Sequence, residues 1–203
     1  RGTGCGGRVG ELREYVVLQR LVAAPEVSVP VWAGGGVGPR TAAAAVAGGA
    51  AGVVLDSQLA LLAESALPEP AAAVLRTLDG SETVVLAGHR VLLRRGPDAP
   101  RLAPDATAET VASMLGAQDP RTQLLPVGQD GFLAARFAER WTDVRRTVRA
   151  LRDAVLDALR DATARRALRD GSPMALALGT RLPFAQAPMT RVNDGAGFAA
   201  AVA

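Results

Sequence analysis

The chain contains no lysine and no isoleucine, a single asparagine (Asn193), a single cysteine (Cys5), a single histidine (His89) and only seven aromatic residues. Each shortage excludes something. A Walker A phosphate loop needs a lysine to reach the phosphates, so nucleotide binding of that kind is ruled out. One cysteine makes no intrachain disulfide, which suits a reducing compartment, and a cytoplasmic protein is expected. Cys5 and His89 are far apart in sequence and neither has a ligand-bearing neighbour, so no metal site is expected. Seven aromatics do not build the stacking platforms of a single-strand nucleic-acid binder. No uninterrupted apolar run reaches about 18 residues, so no membrane span is expected. The opening RGTGCGG has neither the apolar core of a signal peptide nor the amphipathic arginine helix of a transit peptide.

What is present in excess is alanine, arginine and glycine. Together with the missing lysine and isoleucine, this bias follows the codon usage of a GC-rich genome and carries no functional meaning. All 23 basic residues are arginines, yet the formal net charge is only +3. Residues 132–170 hold ten arginines against six acids, and the remainder is close to neutral. This basic stretch reads as the solvated face of a helix rather than a track for a phosphate backbone. Nearly half of the residues are hydrophobic (49%), enough for a core in a chain of 203 residues.

Punctuation by glycine and proline divides the chain. Residues 9–24 place Leu12, Val16, Val17, Leu21 and Val22 near helical spacing. Residues 27–33 read as a short buried strand, and Pro39 opens an alanine-rich helix that Gly48 and Gly49 close. Residues 51–55 (AGVVL) read as a second buried strand. Fully apolar strands alternating with helices predict parallel βα units. A helix near 70–78 follows, then two apolar strands around Ala87-Gly88, with His89 expected at the surface of that hairpin. Residues 96–104 (GPDAPRLAP) form a proline-rich connector. Beyond a short helix at 107–115, the spacing predicts one long amphipathic helix over 131–169, its stripe running from Leu133 and Phe137 through Trp141 to Leu151 and Leu159. Gly171-Ser172-Pro173 breaks it. A short strand ending in Ala187-Pro188-Met189, a polar loop and a helix complete the chain. The glycine-rich start and the alanine-rich helical end read as cuts from a larger protein.

The stretch most pointed toward chemistry is VPVWAGGGVGPRT, residues 29–41. A strand that breaks into glycines and turns at once into a helix is a way to hold phosphate: N–H groups at the helix start are unpaired, and missing Cβ atoms let an anion approach. A plain tight turn is the simpler reading of the same residues. The next strand ends in Asp56-Ser57, a second anion-friendly loop, and in (β/α)8 barrels the loops after the last two strands commonly form such a site. The glycines miss the G-x-G-x-x-G spacing of a dinucleotide fold. A barrel enzyme acting on phosphorylated substrates without flavin also remains compatible with a phosphate site alone.

VPVWAGGGVGPRTAAAAVAGGAAGVVLDSQ resembles the seventh- and eighth-strand region of nitronate monooxygenases and flavin-dependent enoyl-ACP reductases, FMN-binding TIM barrels formerly called 2-nitropropane dioxygenases. The family pattern there is roughly PVIAAGGI, an alanine-rich helix, then GADGVxxGT. Residues 2–8 (GTGCGGR) resemble the family loop GxEAGGH, and LPFAQAPMTRVND (182–194) resembles its first strand, whose Pro-Met lies against the flavin. The first-strand motif comes last, which implies the tail of one barrel followed by the head of another, as in tandem modules of large polyketide or polyunsaturated-fatty-acid synthases.

The resemblance implies an α/β fold: the C-terminal part of a (β/α)8 FMN-type barrel over residues 1–95, a helical linker over 96–179, and the first βα unit of a second barrel over 180–203. It implies an FMN-dependent oxidoreductase module that reduces an enoyl thioester or oxidises a nitronate, with an acyl thioester or another small molecule as substrate and the other domains of the parent protein as partners. Backbone N–H groups of Gly35 and Gly36 and the Ser57 hydroxyl would hold the phosphate. Gly6 and Gly7 would lie along the ribityl chain, and Met189 would pack on a flavin in the second barrel. Arg8 stands where the family has histidine, the one candidate for a catalytic position. It is a permanent cation suited to holding phosphate or a carrier thioester but not to shuttling a proton. The family Glu is replaced by Gly4 followed by Cys5, and its Gly-Thr by Asp56-Ser57. These departures support a second expectation, a barrel-derived structural or docking segment without catalysis.

Overall fold

A computed structural model describes residues 2–93, 99–103, 105–185 and 195–202. The chain divides into two compact units, Arg1–Leu159 and Arg160–Ala203. The elements run β1 (Gly7–Arg8), α1 (Glu14–Ala23), β2 (Trp32–Gly34), α2 (Pro39–Ala47), β3 (Gly52–Val54), α3 (Glu69–Leu75), β4 (Thr83–Leu86), β5 (His89–Leu92), α4 (Ala108–Ser113), α5 (Leu133–Trp141), α6 (Val144–Arg165), α7 (Pro173–Leu178) and α8 (Ala196–Val202).

The first unit contains the expected parallel crossover. β2 and β3 pair in parallel, Trp32 against Gly52 through Gly34 against Val54, with α2 returning the chain between them. Pro39 occupies the first turn of α2, where its missing N–H costs nothing. The Thr41 hydroxyl oxygen accepts from the Gly38 N–H at 2.7 Å and caps the helix start. Leu18, Ala45 and Ala50 are buried together, with Val31, Ala33 and Val53 against them, so α1 and α2 cover one face of the two strands. Small alanines on α2 let the helix sit close to the sheet. The strands are shorter than expected: Pro25 and Pro30 precede β2, and pairing begins only at Trp32.

A second sheet is antiparallel, in the order β1-β5-β4. The predicted hairpin is present, with Ala87 (φ 44) and Gly88 (φ 78) at its tip, the two positive φ values that a tight two-residue turn requires. His89, however, is buried, at 9% exposure. β5 is the central strand, with β1 on one side and β4 on the other, and all four of its residues are buried. An isolated hairpin would have left His89 exposed; the third strand covers it.

Part of the segment expected to be a linker, residues 111–134, packs into the core. Val111 and Leu124 pack with Val91, and Leu125, Val127 and Ala134 pack with Ala71, Leu75 and Leu92. The Leu92 N–H donates to the Leu125 carbonyl at 2.9 Å, tying this stretch to β5. These apolar residues bury better on the sheet than in solvent, at about 25 cal/mol per Å² of apolar surface.

The long amphipathic helix is two helices. Thr142 takes φ 66 and ends α5, and Asp143 starts α6, its carboxylate accepting from the Arg146 N–H at 2.8 Å. An Asp with this local hydrogen-bonding capacity favours a new N-terminus over continuation. Phe137 and Trp141 meet edge to face at 4.7 Å on α5. Leu151 of α6 is buried, while Val148 and Leu156 remain exposed.

In the second unit, the Ser172 hydroxyl caps α7 at the predicted break, accepting from the Ala175 N–H, and Gly179 ends the helix in the left-handed conformation. Residues 181–185 form bends and no strand. Met189 and the expected Ala-Pro-Met strand end lie outside the described residues. Among the described residues no helix is long and apolar enough to cross a membrane.

Candidate functional site

The triple-glycine loop joins β2 to α2. Gly35 and Gly36 both take positive φ, 98 and 64, which only glycine adopts without strain. At Gly35 a Cβ would sit 2.6 Å from the Cys5 nitrogen and 2.9 Å from both Glu14 Oε1 and the Gly4 carbonyl carbon, whereas at Gly36 it would meet nothing within 4 Å. The residues 4–5 loop thus lies directly against Gly35. The Glu14 carboxylate, in the first turn of α1, accepts from the Gly4 N–H and fixes that loop.

A third segment, residues 126–130, closes over both loops. Ser57, which follows β3, is buried, and its hydroxyl oxygen accepts from the Gly128 N–H at 2.8 Å. The Gln129 N–H donates to the Gly4 carbonyl at 2.9 Å. A Cβ on Gly6 would come within 2.8 Å of the Pro126 carbonyl oxygen, so Gly6 is the close-approach point of this crossing.

Asp130 is carried into the interior by this segment and is 2% exposed. Its Oδ2 accepts from the Val37 N–H at 3.1 Å and from Gln58 Nε2 at 2.8 Å. The fully buried Gln58 also donates to the Val37 carbonyl at 2.6 Å and accepts from the Asp56 N–H at 2.7 Å. Burial pushes the Asp130 carboxyl up to about 6; hydrogen bonds from the Val37, Asp130 and Gly36 N–H groups oppose the rise, and the Asp56 charge adds to it. Its other oxygen, Oδ1, is buried and has no hydrogen-bond partner among the described residues.

Beside Gly34 and Gly35 lies a cleft of about 200 Å³ with Val17, Leu18, Val31 and Val54 in its wall and Glu14 and Asp56 as its two charged residues. Arg8 does not line it; Arg8 is exposed on β1, opposite His89. The buried cation of the region is Arg90 on β5, at 7% exposure. Its Nη1 donates to Thr83 Oγ1 at 3.0 Å and its Nε to the Thr3 carbonyl. Burial lowers its pKa while Glu14 raises it. Of the candidate residues, Gly35 borders the cleft, Gly36 lies beside it, Ser57 and Gly6 are buried under residues 126–130, and Gly7 (φ 72) enters β1.

A parallel βαβ crossover with glycine and Asp-Ser loops at the strand ends, covered by a following turn and helix, is now defined. The fold resembles that of FabK. The structure of FabK from Thermotoga maritima matches with a TM-score of 0.56 and 21% identity over 80% of this chain and 54% of that one. A single-substitution mutant of the same FabK matches with a TM-score of 0.65 and 23% identity, over 80% of this chain and 53% of that one. The chain therefore spans about half the length of these structures, and at such identities the likeness to FabK is one of fold. No family model and no curated protein matches the sequence.

The sequence resemblance implies FMN, and the residues present show whether its phosphate fits. It does not. An FMN phosphate needs N–H donors at the loop and a neutral or positive rim. Here the Val37 and Gln58 donors converge on the Asp130 carboxylate, Ser57 is covered by Gly128, and the cleft beside the loop carries Glu14 and Asp56.

The sequence reasoning missed residues 126–130 and Gln58. The signal available was the string PVGQDG, an acid between glycines at a helix start. That pattern reads locally as a turn and a cap.

Proposed function

We propose that this chain is a FabK-like flavoenzyme-fold module that works as a structural or docking element of a multidomain polyketide or fatty-acid synthase rather than as the catalyst. One observation carries the reading: beside the triple glycine, the Val37 N–H and the Gln58 side-chain amide are held by the chain's own Asp130 carboxylate, toward which the Gly36 N–H also points. The exposed apolar side chains on and before β2, Val29 at 69% and Trp32 at 62%, support a docking role toward other domains of the parent protein. The exposed Arg8, outside the cleft, supports a surface role over a catalytic one.

The second reading is an FMN-dependent oxidoreductase that reduces an enoyl thioester or oxidises a nitronate. The fold likeness to FabK, a flavin enoyl reductase of the 2-nitropropane dioxygenase type, favours it, as do the two left-handed glycines of the loop. In that reading flavin supplies the redox chemistry, and Gly35 and Gly36 would face its phosphate.

Visible flavin absorbance of the purified protein, measured before and after incubation with excess FMN and desalting, separates the two. The structural reading expects no retained flavin. Stoichiometric retention would establish the second.

A further inference from the structure

We infer that the triple-glycine loop is an anion hole closed from within, the Asp130 carboxylate occupying the position that a phosphate monoester would take; the inference rests on the reading of the module as one that holds no FMN. The donors come from separate parts of the chain and meet at one oxygen. Val37 supplies its N–H from the loop before the nine-residue α2, and Gln58 its side-chain amide from the turn after β3. The partner arrives from a segment 93 residues from Val37 and 72 from Gln58. Such convergence on a charged acceptor is the arrangement of an oxyanion site.

The second observation is the orphan. Asp130 Oδ1 is buried and, among the described residues, has no hydrogen-bond partner. A carboxylate placed there only as a cap or a packing element would leave that oxygen toward water, because an unpaired buried acceptor is costly. A planar carboxylate with two oxygens, seated where a tetrahedral group with more oxygens fits, satisfies one and strands the other. The open space at Gly36, where a Cβ would meet nothing within 4 Å, is consistent with a hole wider than its present occupant.

Charge at the site is accounted for by few groups. Asp56, after β3, is the charged residue acting on Asp130 and opposes its ionisation; the other contacts are the N–H groups of Gly36 and Val37, its own N–H and the neutral Gln58 amide. Removing the carboxylate therefore leaves donors aimed at an empty position, and an added oxyanion takes it.

The test compares the wild-type protein with Asp130→Ala, using inorganic phosphate as the probe and the thermal midpoint and 31P line width as readouts. Phosphate is expected to stabilise Asp130→Ala in a saturable way and to leave the wild type unchanged at equal ionic strength. A wild type that binds phosphate and retains FMN overturns both this inference and the reading beneath it. A wild type that binds neither, with a folded Asp130→Ala that also ignores phosphate, overturns the closed hole and leaves the structural reading standing. Amide NMR of the wild type decides independently of whether the variant folds. The Gly36 and Val37 amide protons should titrate in step with the Asp130 carboxyl; amides that stay flat through that titration overturn the inference.

Discussion

Replacing Asp130 by asparagine removes a titratable charge from the interior while keeping the size of the side chain, and the effect on stability is calculable. The carboxyl is raised from the ordinary 3.8 of an aspartate to about 6, with burial as the largest cause. The folded protein therefore holds this proton more tightly than the unfolded chain does. The stabilisation from protonation is fully present below 3.8 and is lost as pH rises through about 6. A gap of roughly two pH units at about 1.36 kcal/mol each makes the ionised form about 3 kcal/mol less favourable than the neutral one. Asparagine is neutral throughout, so Asp130→Asn should gain on the wild type by up to about 3 kcal/mol between roughly pH 4 and pH 7, and level off above that. Any constant packing difference cancels, because only the change with pH is read. Against a typical domain stability of about 5–15 kcal/mol the effect is large. The assay is urea unfolding of both proteins across that range, with matched slopes to confirm the same transition. A stability difference independent of pH, or one that shrinks as pH rises, would refute the burial argument for Asp130.

Two further outcomes are expected. Gly36→Ala should cost about 1–2 kcal/mol, the penalty of a left-handed residue with open space around it. Gly35→Ala should cost distinctly more, on the order of 3 kcal/mol or above, since its Cβ meets the Gly4–Cys5 backbone at 2.6–2.9 Å; equal losses in urea unfolding would contradict the packing described. Thr142→Gly should raise the thermal midpoint, because a β-branched residue at φ 66 is strained and the two backbone hydrogen bonds there, to Ala138 and from Ala63, do not depend on the side chain. A lowered midpoint would show that the Thr142 side chain does more than tolerate its backbone.

Local rules were enough for the crossover and the hairpin. The apolar strands, Pro39 at the start of α2 and the Ala87-Gly88 tip depend on neighbours a few residues away, so composition and spacing specify them. The same holds for the break at Ser172, where one hydroxyl caps the following helix. The glycine turn at residues 34–36 was likewise legible, because glycines between a strand and a helix supply the positive φ values found at Gly35 and Gly36.

That Asp130 packs against this loop was not legible. Asp130 reaches it across 93 residues of chain, and nothing in GQDG distinguishes a buried acid from a solvated cap until the tertiary structure removes the water around it. His89 and Arg90 follow the same logic: each belongs to a strand that looks like half of an exposed hairpin, and the pairing of β1 from the other end of the unit buries both. The periodicity over 131–169 was correct as a pattern; at the bend, the local cap at Asp143 is joined by a hydrogen bond from the distant Ala63 N–H to the Thr142 carbonyl, which only the folded chain supplies. Sequence determined which segments are strands, helices and glycine turns, since those are contests among near neighbours. The tertiary structure decided which charges are desolvated and which donors they meet, since burial is a property of the whole packed unit.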